Sequence, residues 1–187
     1  MYKNFFKRLI DIIVSIIALI ILLPVYLIIS TLILCELKGP IFFLQERAGK
    51  NGKPFNLIKF RTMIHNFDKK NIEENNAVTK LGNFLRNTSL DEIPEFVNIL
   101  YGHMSIVGPR PLHVKYVTRY NKKHKIRLNV KPGLTGLAQV SGRNSLSWSE
   151  KFDFDVSYVN KLSFIQDVKI ILLTVRVIFA RENINNS

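Results

Sequence analysis

The chain has 187 residues, of which 47% are hydrophobic and 22% charged, and it carries a formal net charge of +13. That length accommodates one compact domain plus an anchor, and the apolar share excludes a chain too polar to fold. The charge points to anionic partners (nucleic acid, anionic lipid or phosphorylated small molecules), and a single Cys excludes an internal disulfide.

Between Ile12 and Cys35 there is no charged residue, a run of 24. A hydrocarbon core of about 30 Å needs roughly that length of helix. A secretory signal has an apolar stretch of only about 7–15 residues and a small-x-small cleavage site after it, neither of which fits here. Pro24 lies near the middle of the run and kinks a helix by removing a hydrogen bond and crowding the preceding turn. The segment is therefore either a kinked span or a helix that enters, bends and returns. Lys3, Lys7 and Arg8 precede it and Lys38, Arg47, Lys50 and Lys53 follow it. A spanning helix concentrates its cations on one side, so two basic flanks favour re-entry. Residues 1–38 are read as a re-entrant membrane anchor bent at Pro24, and 39–187 as one domain. Asp11 stands one turn beyond Lys7 and Arg8, a spacing that lets them pair.

After the anchor, Ile41–Glu46 and Phe55–Phe60 flank the turn-forming stretch Gly49-Lys50-Asn51-Gly52-Lys53-Pro54, which predicts a β-hairpin. His65–Val78 is polar and reads as a solvated surface segment. Thr79–Arg86 and Pro94–Leu100 read as short helices. Gly108-Pro109-Arg110-Pro111 must be extended, because each proline disfavours helix in the residue before it. Leu112–Val130 reads as a basic helix, Lys131–Gly136 as a turn-rich loop, and Trp148–Asn160 and Asp167–Ala180 as helices. The last is apolar enough for a membrane interface or a core. The expected class is α+β, mostly helical, with a re-entrant N-terminal helix, one β-hairpin and several interfacial helices.

Asp91-Glu92 is the candidate for chemistry. One reading is purely structural: Ser89-x-x-Glu92 fits a capping box, or Asp91 is an N-cap with Pro94 in the first turn. The other is functional. Two adjacent carboxylates suit Mg²⁺ bridged to a phosphate, and an ionised Asp can act as a nucleophile. Arg86, Arg110 and Arg143 stand at Gly/Pro-rich bends or near the pair, and a guanidinium fork suits phosphate oxygens. There is no phosphate-binding loop, dinucleotide fingerprint, zinc spacing or nucleophile elbow.

The ordered stretches Lys7-Arg8-x-x-Asp11, Phe43-x-Gln45-x-Arg47-x-Gly49, Lys59-Phe60-Arg61-Thr62-Met63, Arg86-x-x-Ser89-Leu90-Asp91-Glu92-x-Pro94, Met104-Ser105-x-Val107-Gly108-Pro109-Arg110-Pro111, Lys131-Pro132-Gly133-x-Thr135-Gly136-x-Ala138-Gln139-Val140-x-Gly142-Arg143 and Lys151-x-x-x-Asp155-x-x-Tyr158 resemble the monotopic polyprenyl-phosphate phosphoglycosyl transferases, or bacterial sugar transferases. The compact length is similar to the small forms, such as the transferase that starts bacterial N-glycan assembly with diacetylbacillosamine phosphate. Leu23 departs from the Ser that many members carry before the proline.

The resemblance implies transfer of a phosphosugar from a UDP-sugar to polyprenyl (undecaprenyl) phosphate, with release of UMP, by a ping-pong mechanism through a covalent intermediate on Asp91. Glu92 would be the second catalytic residue, and Asp91 and Glu92 would hold Mg²⁺. Arg86, Arg110, Arg143, Gln139 and Lys59 would bind substrate or phosphate. The implied partners are the UDP-sugar, polyprenyl phosphate and membrane lipids, without nucleic acid. The implied location is the bacterial inner membrane, catalytic domain on the cytoplasmic face. The competing reading is a non-catalytic basic domain that binds membrane or nucleic acid, which has no need of Asp91-Glu92 beside prolines and arginines.

Overall fold

A computed structural model describes residues 2–64, 77–142 and 145–180. The polar segment at 65–76 and Arg143 lie outside the described residues. A π-helical turn, Tyr2–Phe6, leads into α1 (Lys7–Ile21), and α2 (Leu23–Leu37) follows after Leu22. Pro24 sits in the first turn of α2, where its missing N–H costs no hydrogen bond. It starts a second helix instead of kinking one long one, and the two axes differ by 60°. No single described helix is long and apolar enough to cross a membrane; the bent pair together meets the requirement of length and composition.

α1 is amphipathic in the reverse sense for a helix in water. Lys7, Asp11 and Ser15 are buried, while Ile13, Ile16, Ile17, Ile20 and Ile21 are exposed. The i,i+4 pairing expected of Asp11 is not what forms. Asp11 Oδ1 accepts from Ser105 Oγ and from the Ile106 N–H, both at 3.0 Å. Lys7 Nζ reaches Asp167 at 2.6 Å, and Arg8 donates to the Ile99 and Leu100 carbonyls at 2.6 and 2.7 Å. The groups meet elsewhere because each is turned into the protein, where an unpaired charge or carbonyl is costly.

β1 (Phe42–Ala48) and β2 (Pro54–Phe60) form the antiparallel hairpin, in register from Phe42 opposite Phe60 to Ala48 opposite Pro54. Asn51 and Gly52 take the positive φ values of the turn, 58° and 74°. α3 (Lys80–Asn87) is capped by Thr79, whose Oγ1 accepts from Gly82 N at 2.9 Å. α4 (Glu95–Tyr101) stops at Gly102, with φ of 86°.

Two short strands were not foreseen. β3 (Ser105–Val107) and β4 (Gly133–Thr135) pair in parallel. A side chain at Gly133 would meet Gly108 N at 2.1 Å, so glycine is what lets the two backbones approach. Three-residue strands carry too little alternation to be read.

The expected helix at Leu112–Val130 is a correction. The structure has two 3-10 stretches, Val114–Arg119 and His124–Asn129, broken by extended Tyr120. In one continuous α-helix Lys115, Arg119, Lys123 and Arg127 would stack at i,i+4, and like charges at that spacing destabilise. α5 (Leu137–Ser141), α6 (Trp148–Asn160) and α7 (Phe164–Ala180) complete the chain. α6 has a full Ser147–Glu150 capping box.

β2 contributes buried side chains to two cores. Phe55 and Leu57 join Ile99, Met104, Val107, Val130, Tyr158 and Ile170 on one side, while Phe60 joins Ile29, Ile33, Leu85 and Ile93 on the other. Lys59 lies between them, at the end of the strand that faces α4.

Candidate functional site

Three elements deliver the site. β2 supplies Lys59, the turn between α3 and α4 supplies Asp91 and Glu92, and the segment after β3 supplies Arg110. Ser89 opens the turn with φ of 57° and makes no side-chain cap; Leu90–Glu92 then form one 3-10 turn before Pro94 and α4. Neither capping assignment is realised, so neither carboxylate is engaged in holding a helix end. Left-handed φ at a non-glycine residue costs about 1–2 kcal/mol, and here it sits immediately before the reactive pair.

Asn98 sets the distance between α4 and β2. Its Oδ1 accepts from Ile58 N at 2.9 Å and its Nδ2 donates to Asn56 O at 2.7 Å, on either side of one turn of the strand. It is fully buried. This clamp brings Lys59 against three carboxylates. Lys59 Nζ lies 2.6 Å from Glu92 Oε1, 3.3 Å from Glu95 Oε1 and 3.8 Å from Asp91 Oδ2. Arg110 Nη2 reaches the same Glu92 Oε1 at 3.0 Å.

Glu95 was not singled out from the sequence. Its signal is its spacing: four residues after Asp91, it enters the same side of the turn, and it is 3% exposed. Burial pushes its carboxyl up and the Glu92 charge adds to that, against the pull of Lys59. Glu92 goes the other way. Burial alone would raise it, but Arg110 and Lys59 overcome that and hold it below the usual carboxylate range. Arg110 has 52% of its side chain exposed, so water screens its share and the enclosed Lys59 is the firmer partner. Lys59 is disfavoured as a cation by burial, yet the carboxylates keep it charged and raise it.

Asp91 is the least engaged member. Its side chain is 13% exposed, and among the described residues neither of its oxygens accepts a hydrogen bond. Burial raises its pKa, with Glu92 adding and Lys59, Arg86 and Arg110 opposing. An unsolvated carboxylate that is not hydrogen-bonded is a stronger nucleophile than a solvated one. No three Asp, Glu, His or Cys side chains among the described residues form a ready metal cage. Mg²⁺, however, commonly uses only one or two carboxylates plus substrate phosphate. Neither Asp91 oxygen nor Glu92 Oε2 accepts a hydrogen bond within the described residues, Asp91 Oδ2 having only its 3.8 Å ion pair with Lys59, and this hard-oxygen set fits that ion.

Of the remaining expected residues, Arg86 donates Nε to Thr62 Oγ1 at 2.9 Å and acts electrostatically on Asp91. Gln139 is not joined to the cluster by any hydrogen bond among the described residues. It donates to the Leu134 carbonyl at 3.2 Å, and its Oε1 is buried without a partner. Arg143 lies outside the described residues. Arg110 is held from behind by Arg127, whose Nη2 donates to the Arg110 carbonyl at 2.7 Å.

A sequence profile described as "Bacterial sugar transferase" matches residues 2–181. The uncharacterized sugar transferase EpsL of Bacillus subtilis (strain 168) is 42% identical over 183 residues, covering 97% of this chain and 91% of that protein. A UDP-glucose:undecaprenyl-phosphate glucose-1-phosphate transferase of Klebsiella pneumoniae is 45% identical over 182 residues, 91% of this chain but 39% of the relative. The galactosyl transferase CpsE of Streptococcus agalactiae serotype III (strain NEM316) is 43% identical over 159 residues, 75% of this chain and 35% of the relative.

Proposed function

The chain belongs to the bacterial sugar transferase family and is a phosphoglycosyl transferase, and we propose that it moves a phosphosugar from a UDP-sugar to polyprenyl phosphate in two displacements through Asp91. The relatives named for glucose-1-phosphate transfer to undecaprenyl phosphate support the substrate classes. The observation that carries the mechanism is an Asp91 carboxylate that accepts no hydrogen bond among the described residues and stands 3.8 Å from Lys59 in a cluster with Arg86 and Arg110.

In the first displacement an Asp91 oxygen attacks the phosphorus that carries the sugar. The phosphoanhydride P–O bond breaks and its electron pair leaves with UMP. In the second, a phosphate oxygen of polyprenyl phosphate attacks the same phosphorus, the bond from Asp91 to phosphorus breaks, and the carboxylate returns. Lys59, Arg86 and Arg110 offset the charge on the phosphoryl oxygens. Lys59 and Arg110 also hold Glu92 ionised, which keeps a negative charge beside Asp91. When bound, Mg²⁺ would be held by Asp91 and Glu92 and would supply further charge neutralisation to the diphosphate.

Residues 1–38 act as a re-entrant anchor that leaves the catalytic domain, 39–187, on the cytoplasmic face of the bacterial inner membrane. The reversed burial of α1 supports this. Its polar face is buried in the protein and its isoleucines face outward, an arrangement favoured by lipid and disfavoured by water. α7 adds exposed Phe164, Ile165, Leu172 and Val175 at an interface. Each Lys or Arg near an anionic surface contributes about 1 kcal/mol. A site at that level meets both a water-soluble donor and a lipid-borne acceptor.

The test incubates the purified full chain with Mg²⁺ and a panel of UDP-sugars (glucose, galactose, N-acetylhexosamine and diacetylbacillosamine donors). UMP release and the intact protein mass are both followed. One donor should release UMP and add one phosphosugar to the protein; polyprenyl phosphate should then remove it. Asp91→Asn should do neither. UMP release by Asp91→Asn at the wild-type rate would reject the mechanism, and no UMP from any donor would favour a non-catalytic binding role.

A further inference from the structure

Arg47 lies in β1 and makes no ion pair among the described residues. Its Nε is buried without an acceptor. Its Nη2 donates to Gln45 Oε1. That contact leaves Gln45 Nε2 free to donate to His113 Nε2 at 3.2 Å, a bond made by the neutral imidazole with its proton on Nδ1. Burial, together with Arg47 and Lys115, lowers the His113 pKa, which favours that form. An arginine immobilised through two further side chains, with an open donor, differs from a solvated surface arginine. A buried N–H left unpaired is costly, so its persistence calls for a ligand.

The position of Arg47 says which ligand. Ala48 N donates to Leu112 O at 2.8 Å, which fastens the end of β1 to the chain just after Arg110. Arg47 and Arg110 repel each other electrostatically, and Glu95 and Glu92 attract Arg47. Four cations, Arg47, Lys59, Arg86 and Arg110, thus surround three carboxylates, Asp91, Glu92 and Glu95. Lys59 and Arg110 converge on Glu92, which leaves Arg47 and Arg86 without an ion pair among the described residues; Arg86 Nε is taken up by Thr62, whereas Arg47 Nε has no acceptor.

We infer that Arg47 is a second anion seat beside Arg110, binding the phosphate that stays with the nucleoside when the phosphosugar departs. The inference rests on the donor being a nucleoside diphosphate sugar, as proposed above. Gln45 and His113 are its positioning residues, and the guanidinium fork explains why arginine and not lysine stands there.

The test is direct binding of UDP, UMP and uridine to the full chain in detergent, which needs no turnover. Arg47→Gln should weaken UDP and UMP by about tenfold or more, the worth of a charge-assisted hydrogen bond, and leave uridine unchanged. Arg47→Lys keeps the charge without the Nε donor and should fall between the two; it also serves if Arg47→Gln does not fold. Unchanged UDP and UMP affinity in either variant overturns the assignment, as does an equal loss for uridine. An absent phosphosugar adduct on Asp91 with intact UDP binding at Arg47 would reject the proposed mechanism and leave this seat standing.

Discussion

Arg127 Nη2 donates to the main-chain carbonyl of Arg110 at 2.7 Å, and it does so from a buried position. The same guanidinium pairs with Asp155 at 2.8 and 2.9 Å and donates to the Tyr120 hydroxyl at 2.8 Å. Arg110 in turn meets Glu92. A buried ion pair therefore stands behind the residue that steadies the second carboxylate. Removing one partner strands a charge, so Asp155→Ala should lower stability by about 3–5 kcal/mol, read by urea unfolding. At temperatures where it stays folded it should also turn over more slowly, because the Arg110 backbone is released. Wild-type kinetics in a folded Asp155→Ala would remove the positioning role.

Asp91 makes the opposite prediction. Its pKa is raised, first by burial, so its ionised form is less comfortable folded than unfolded. The sign follows: at neutral pH this residue subtracts from stability. Asp91→Asn should melt at or above the wild-type temperature while abolishing UMP release, a trade of stability against activity. A marked drop in melting temperature would mean that Asp91 is structural.

Lys59 compensates three carboxylates at once. Lys59→Ala should cost about 3 kcal/mol or more, since it leaves enclosed charges without a partner. Above about pH 8, where Glu95 is ionised, replacing it by Gln in that background should restore part of the loss. The double-mutant cycle then gives a coupling beyond additivity; strict additivity would show that Lys59 and Glu95 do not interact.

The pH dependence of stability isolates Glu95. Its folded pKa is raised to about 8, against about 4.3 for an unperturbed Glu. A raised carboxyl contributes stability that is fully present below the unfolded value and is lost as pH rises through the folded one. Between about pH 4.3 and 8 the wild type should lose stability relative to Glu95→Gln, followed by chemical denaturation at each pH. Parallel curves would place the proton elsewhere.

Pro24→Ala restores an N–H near the break at Leu22 and should allow α1 and α2 to straighten, lowering the 60° bend. Cysteine labelling of an N-terminal position from each side of the membrane reads the result. The wild type should label only from the cytoplasmic side and Pro24→Ala partly from the other. Periplasmic labelling of the wild type would end the re-entrant reading.

The hairpin was legible because Asn51-Gly52 dictates a turn and the flanking runs are long enough to pair. The helices at Thr79, Pro94 and Trp148 were legible from their apolar spacing, though the caps at Thr79 and Ser147 were not read, and the break near Pro24 was legible from covalent geometry alone. Asp91-Glu92 was legible as a pair of carboxylates in a turn, though whether they capped a helix was not. The Leu112–Val130 segment was misread as one basic helix, although Lys115, Arg119, Lys123 and Arg127 stand at the i,i+4 spacing that disfavours a single helix.

By itself the sequence determined the local elements, the uncharged run that seeks lipid, and the residue types that can handle phosphate, since these follow from side-chain chemistry and short-range sterics. Only the tertiary structure decided the partners: Lys7 with Asp167, Arg8 with the end of α4, Asp11 with Ser105, Lys59 with Glu95, and Arg127 behind Arg110. Burial makes those choices. An enclosed charge or donor must be satisfied by whichever group the packing of distant segments brings within 3 Å or so, and spacing along the chain does not carry that information.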